Sequence, residues 1–188
     1  MADFTLSSGS ICRPYRSPWG NFPTRTMQVS SGVSSAAIVV GRAVTLDSAE
    51  AGNTSNAGHV KGSTNPDFTF YLVGIAASAV SGSSAVEGGE ISVWEANPMV
   101  EFKAVSKFGT LQSSHVGLTK TLHRDSSLDI MYVDLSASTA ADHRVVVTGL
   151  IDAQGDSGGY VSFRFIGDRR EQGSTINSSS PYLAFYRF

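Results

Sequence analysis

The sequence predicts a mainly β protein, a compact β-sandwich or barrel-like domain of about eight to nine short strands with an extended N-terminal arm. Three observations carry this. No segment sustains a 3.6-residue apolar period. Short runs rich in Val, Ile, Phe and Tyr alternate apolar and polar residues with period two. Between them lie stretches of Gly, Ser, Thr and Asn that suit turns and loops. A chain of 188 residues is long enough for one sizeable core. The expected organisation is an arm at residues 1–25 and a single β-rich domain at 26–188, with no internal repeat of fixed period.

The arm is the most distinctive stretch. Ile11–Arg25 holds Pro14, Pro18 and Pro23, three arginines (Arg13, Arg16, Arg25), and the aromatics Tyr15, Trp19 and Phe22. Proline fixes φ, removes a donor and pushes the preceding residue toward extended geometry, so this spacing excludes a helix. Aromatic and arginine side chains are the usual anchors of protein interfaces. Arg13, Tyr15, Arg16, Trp19, Phe22 and Arg25 are therefore the candidate partner-binding residues, on a capsid or a neighbouring subunit. The competing arrangement is an arm folded back onto its own domain.

The strands follow in order. Ser35–Leu46 carries Ile38, Val39, Val40, Val44 and Leu46, with Gly41 marking a bulge or bend. Residues 47–65 read as a loop. Phe68–Ala76 is a strongly apolar run, and residues 77–89 are a second loop. Glu90–Ala96 places Ile91 and Val93 on one side and Glu90, Ser92 and Trp94 on the other. Asn97-Pro98 then signals a turn into Met99–Ala104, where Val100, Phe102 and Ala104 share a face, so the two runs read as a hairpin. Val105–Ser127 is ambiguous between a short helix and an irregular crossover. Leu128–Leu135 alternates cleanly. His143–Ile151 and Tyr160–Ile166 form a pair around the turn Asp152–Gly159, and Tyr182–Phe188 is read as a last strand.

Composition removes several functions. Charged residues make up only 16 % of the chain and the net charge is −2, with no basic block to grip the phosphates of a nucleic acid. No apolar run reaches the ~18 residues that span a bilayer, and the first residues lack a signal-peptide pattern. The lone Cys12 excludes an internal disulfide and a multi-cysteine metal site. His59, His115, His123 and His143 show no metal-ligand spacing. Asp125, Asp129 and Asp134 gather on or beside one strand without the ladder of a calcium loop, so they read as solvated or salt-bridged. No cofactor and no metal are expected.

Gly155-Asp156-Ser157-Gly158-Gly159 matches the GDSGG around the nucleophile of chymotrypsin-like serine proteases, which would make Ser157 the nucleophile and Asp129 the residue that orients a histidine. The interval from Asp129 to Ser157 leaves room for about three strands, too few for most of a second barrel. No histidine stands at a fitting place either, and a glycine-rich hairpin turn accounts for the motif. His123-Arg124-Asp125 resembles a kinase triplet but lacks every companion motif.

With catalytic signals thin, the order of elements is informative. The strand AIVVGRAVTLDS, a polar insert, FYLVGIAAS, a small-residue stretch and ISVWEANPMVEF together resemble the capsid decoration, or cement, proteins of tailed bacteriophages, of the phage lambda head decoration type. The resemblance covers Ser35–Ala104, and no functional residue carries over from it position by position. It implies a structural virion protein, not an enzyme, on the outer surface of the capsid. Its partners would be the major capsid protein and copies of itself, with a trimer at capsomer junctions favoured. The alternative of a different class is a phage tail or receptor-binding β-domain that takes carbohydrate on exposed aromatics.

Overall fold

Among the described residues, ten of eleven strands form two five-stranded rings that repeat one wiring scheme. The computed structural model describes residues 10–30, 38–46, 59–62, 72–80, 89–136 and 143–166. The strands are β1 (Arg13–Arg16), β2 (Thr24–Gln28), β3 (Ala43–Leu46), β4 (Val60–Gly62), β5 (Leu72–Ala76), β6 (Glu90–Glu95), β7 (Glu101–Lys107), β8 (Thr119–Asp125), β9 (Ile130–Asp134), β10 (His143–Leu150) and β11 (Tyr160–Phe165). A 3-10 turn at Ser113–His115 is the one helical element among the described residues. The protein is mainly β, as its period-two runs require.

The first sheet runs β2-β6-β5-β3-β4, all antiparallel. Its ends meet where Val29, just past β2, bridges Val60 of β4 in parallel and Ser30 N–H donates to Val60 O at 2.9 Å. The second sheet runs β7-β11-β10-β8-β9 and closes through a parallel β9–β7 pairing, with β1 added to β7 as an extra edge strand. In chain order, β2 to β6 are thus wired in the same way as β7 to β11.

The registers match as well. Met27↔Ile91, Ala76↔Val93, Val44↔Gly74 and Val44↔Gly62 in the first ring correspond to Phe102↔Phe163, Val145↔Phe165, Leu122↔His143 and Leu122↔Val133 in the second. Following these partners around, Val29 corresponds to Ala104 and Val60 to Met131, one residue before the Val105↔Tyr132 pair of the closing seam. Both barrels therefore close with the same stagger, which fixes strand tilt and diameter. The repeat is one of architecture, with no fixed period in the sequence to announce it.

The two interiors differ in filling. Val29, Val44, Val60, Ala76, Ile91 and Val93 pack the first barrel. Aromatic rings occupy the second, where Phe102 meets Phe165 at 5.0 Å and Phe163 meets Phe165 at 5.4 Å, both edge to face. Cys12, Ala43 and Ile75 belong to the second barrel's cluster, so the outer face of the first barrel and the start of β1 share its core.

An ion pair between a buried arginine and a half-buried aspartate joins the barrels. Arg42, just before β3, is 1 % exposed and is the largest fully buried side chain among the described residues. Its Nη1 lies 3.6 Å from Asp129 Oδ2, in the β8–β9 turn of the second barrel. Arg124 Nε holds the other carboxylate oxygen at 2.5 Å. Gly62 makes room for the guanidinium, since a Cβ there would stand 2.7 Å from Arg42 Nε. Burial pushes the pKa of Arg42 down, and the Asp129 carboxylate opposes that shift.

Several expectations change in detail. The β6 and β7 runs are not a hairpin: β6 pairs with β2 and β5, β7 with β1, β11 and β9, and Asn97-Pro98 is the crossing from one barrel to the other. The run Ser35–Leu46 breaks at Gly41, whose φ is +88° and where a Cβ would collide with Ile11 Cγ2 at 2.5 Å, so β3 starts only at Ala43. β4 lies within the expected loop 47–65, and β8 resolves the ambiguous 105–127 stretch. Residues 10–25 do not stand free. β1 is a sheet member and Cys12 is 0 % exposed, because β7 offers an unpaired edge and the core offers a place for Ile11 and Cys12 to pack. The expected strand Tyr182–Phe188 lies outside the described residues.

Removing the guanidinium tests the joint. Arg42→Ala is expected to lower unfolding free energy by about 2–3 kcal/mol in urea titration, at or below the low end for breaking a buried pair because Asp129 is half-buried and Arg124 still serves it. Arg42→Met, which keeps the volume, is expected to cost less. Equal and negligible losses for both would show that the pair does not hold the barrels together.

Candidate partner-docking site

The pairing of β1 with β7 builds the site. Arg13 faces Lys103, Pro14 faces Phe102 and Arg16 faces Glu101, with a register break between Pro14 and Arg16. A proline within a sheet belongs on an edge strand, and β1 is one. The chain then turns through residues 17–20, where Gly20 has φ +73° and Trp19 N–H donates to Ser17 Oγ at 3.2 Å. It returns along β6, where Glu95 N–H donates to Pro23 O at 3.1 Å and Arg25 Nε pairs with Glu95 Oε1 at 3.0 Å.

A groove of about 360 Å³ opens between these strands, lined by Arg13, Pro14, Tyr15, Phe22, Trp94 and Lys103. Its wall is cationic and aromatic. Arg16 Cζ lies 4.9 Å and Lys103 Nζ 5.7 Å from the centre of the Tyr15 ring. Lys103 also stands 5.4 Å from the Tyr160 ring. Trp19 is 55 % exposed and Phe22 36 %. The Arg16↔Glu101 register puts the 17–20 turn at the same end of the sheet as the Asn97–Met99 turn, where Met99 is 52 % exposed. The nearby acids are engaged elsewhere: Glu95 with Arg25, and Glu101 with Arg164 at 3.1 Å. Arg13, Arg16 and Lys103 make no ion pair among the described residues.

The six candidate residues thus fall on one region. Arg13, Tyr15 and Phe22 line the groove, Arg16 covers the Tyr15 ring, Arg25 is fixed at the rim and Trp19 stands on the adjoining turn. Trp94, Lys103 and Met99 belong with them and were not singled out by the sequence. The alternation of β6 carried the signal for Trp94, which lies opposite the buried Ile91 and Val93 and points out of the first barrel.

The other motifs resolve into structure. The GDSGG segment is a turn between β10 and β11: Leu111 N–H donates to Asp156 O at 2.9 Å, Gly155 N–H to Leu111 O at 2.8 Å, and Tyr160 N–H to Asp152 Oδ2 at 2.8 Å. Ser157 bridges Thr110 through its backbone, and no histidine bonds it among the described residues. Asp129 serves Arg42 and Arg124 rather than a histidine. Asp125 bonds Lys107 Nζ at 3.0 Å, and Asp134 lies 3.9 Å from His123, which stacks on Tyr132. Burial pushes the pKa of Asp125 up, but the Lys107 ammonium and the N–H groups of Leu128 and Ser127 outweigh it and hold the carboxyl below its ordinary value. Burial, reinforced by Lys120, lowers the pKa of His115. No group of three or more His, Cys, Asp or Glu suited to a metal occurs among the described residues.

No family model, no curated protein and no solved structure matches the chain.

The turn reading of GDSGG has a direct check. A fluorophosphonate probe is expected to leave Ser157 unlabelled in the folded protein, and Ser157→Ala to leave the melting temperature within about 1 °C, as for exposed surface changes. Stoichiometric labelling of Ser157 would revive a nucleophilic serine.

Proposed function

We propose that this chain is a structural virion protein, a decoration or cement protein that binds the outside of a bacteriophage head and stabilises contacts between capsomers. The observation that carries the reading is the rim around β1. Exposed Trp19, Phe22 and Met99 sit at one end of the sheet beside a groove whose cations have no acidic partner among the described residues. Tryptophan, tyrosine and arginine around a concave patch are the composition of interface hot spots, whereas scattered surface apolar residues need no partner.

The architecture suits the task. Two closed barrels sharing a core give a stiff body, and closure removes most of the open strand edges that invite aggregation. The strand β1 places Arg13 and Tyr15 with little freedom left to lose, so the ordering cost of docking falls on few side chains. The intended partner is the major capsid protein at capsomer junctions. Copies assembled as a trimer engage several capsid subunits at once, so that weak single contacts sum through avidity.

The experiment adds purified chain to undecorated heads and measures occupancy. Trp19→Ala and Phe22→Ala are each expected to weaken binding by about 2 kcal/mol, roughly 30-fold, and Arg13→Glu with Lys103→Glu to abolish it at physiological salt. Circular dichroism of each variant checks that the β fold persists. Unchanged occupancy across the set, or localisation of the chain to tails, would contradict the proposal.

A further inference from the structure

Two like charges face each other on the strand pair that builds the docking groove. Arg13 of β1 stands directly opposite Lys103 of β7. Side chains at such positions are neighbours, and like charges there repel. Arg16, further along β1, adds a third cation to the same rim. An acid is at hand but is turned elsewhere. Glu101 is the register partner of Arg16, yet its carboxylate accepts from Arg164 Nη2 at 3.1 Å, on the strand at the other side of β7. Glu95 is bound to Arg25 at 3.0 Å. Among the described residues no carboxylate pairs with Arg13, Arg16 or Lys103.

Aromatic rings hold these cations instead. Lys103 Nζ lies 5.7 Å from the centre of the Tyr15 ring and 5.4 Å from that of Tyr160, and Arg16 Cζ lies 4.9 Å from Tyr15. Tyr15 has no register partner on β7, because the break between Pro14 and Arg16 falls on it, and such a bulge re-aims a side chain. A ring face attracts a cation without cancelling its charge. The ammonium of Lys103 is therefore positioned with its charge still available, which lowers the ordering cost of binding an anion. The rest of the lining, Phe22 and Trp94, is aromatic and uncharged.

We propose that the groove takes an acidic, apolar segment of the partner protein, with one carboxylate bridging Arg13 and Lys103 and a neighbouring apolar side chain lying on Trp94 and Phe22. This occupant presupposes the docking rim proposed above and names the chemistry that docks there. Three features select it. The guanidinium of Arg13 offers a planar fork of donors that matches a carboxylate. The groove, at about 360 Å³, is at the small end of ligand sites and holds a few side chains rather than a folded element. The cations form a local spot on a chain of net charge −2, which suits a ligand of one or two charges and disfavours a polyphosphate backbone.

Peptide titration of the isolated full chain decides it, followed by heteronuclear NMR at the Trp94 indole and the Lys103 amide. The probes are acetyl-Glu-Phe-Glu-Leu-amide, its glutamine analogue and its lysine analogue. The acidic peptide is expected to shift both signals saturably, to bind about 10-fold more tightly than the glutamine peptide, and to weaken as salt rises. Arg13→Glu with Lys103→Glu is expected to reverse the preference toward the lysine peptide, which also shows that the variant is folded. Equal affinity for the acidic and glutamine peptides, or no shift by either at ~10 mM, would overturn the proposal. So would binding of a glucuronic acid oligomer where the acidic peptide fails, which would make the ligand a glycan. Concentration-dependent shifts of the Trp94 indole with no peptide present would place a second copy in the groove, and would also overturn it. Heads are absent from this assay, so the two readings separate. Failure of the peptide beside head occupancy that depends on Trp19 and Phe22 removes the carboxylate alone. Peptide binding without head occupancy removes the capsid and leaves an acidic-segment site.

Discussion

One edge of β7 serves two strands, and much of the molecule follows from that. β9 reaches only the last three residues of β7, enough to close the barrel but not to cover the strand that closes it. A buried or half-buried backbone leaves few donors and acceptors unpaired, so the vacant Glu101–Lys103 edge calls for another strand. β1 supplies it. The aromatic and cationic side chains of residues 13–22 are thereby held on a fixed strand and turn, and Cys12 is drawn into the common core. A groove with defined walls results, where a free arm would have had none.

The same economy governs buried charge. Arg42 and Lys120 occupy matched positions, each two residues before the inward Val44 or Leu122, and both are buried. Lys120 Nζ donates to the Leu135 carbonyl within its own barrel. Arg42 reaches across to Asp129. Desolvating an unpaired cation is expensive, and the carboxylate from the neighbouring barrel offsets that cost for the guanidinium. The duplicated position has thus become a lock between the copies in one barrel and a closure of the strand ends in the other.

Part of this is legible in the residues. The alternation of Glu90–Glu95 and the shared face of Val100, Phe102 and Ala104 mark buried positions, and the β10–β11 pair with its glycine turn is where the sequence puts it. Period-two patterning reports which face is buried, but not which strand lies alongside. For that reason β6 and β7 read as a hairpin although each belongs to a different barrel. β4 is three residues long, with Val60 alone as its apolar core residue, and too short to stand out from a polar stretch. β8 is disguised by Lys120 and Thr121, polar residues that are buried because the fold provides partners for them. The architectural repeat is hidden because Met27, Ile91 and Val93 in one barrel stand where Phe102, Phe163 and Phe165 stand in the other. The candidate site was half visible: the residues of the arm stand out by composition, while Trp94 and Lys103 join them only once β1 lies on β7 and Pro23 meets β6.

The account depends most on β1 being a structural strand that also presents the docking rim. The most direct measurement is the thermal unfolding of a chain lacking residues 1–16, with hydrogen exchange followed at Glu101 and Lys103, whose amides face β1. Loss of the strand pairing and of the buried Cys12 amounts to about 3 kcal/mol, so the account predicts a melting temperature lower by roughly 6–12 °C and fast exchange along that part of β7. A truncated chain that melts at the temperature of the whole protein, with those amides still protected, would contradict it.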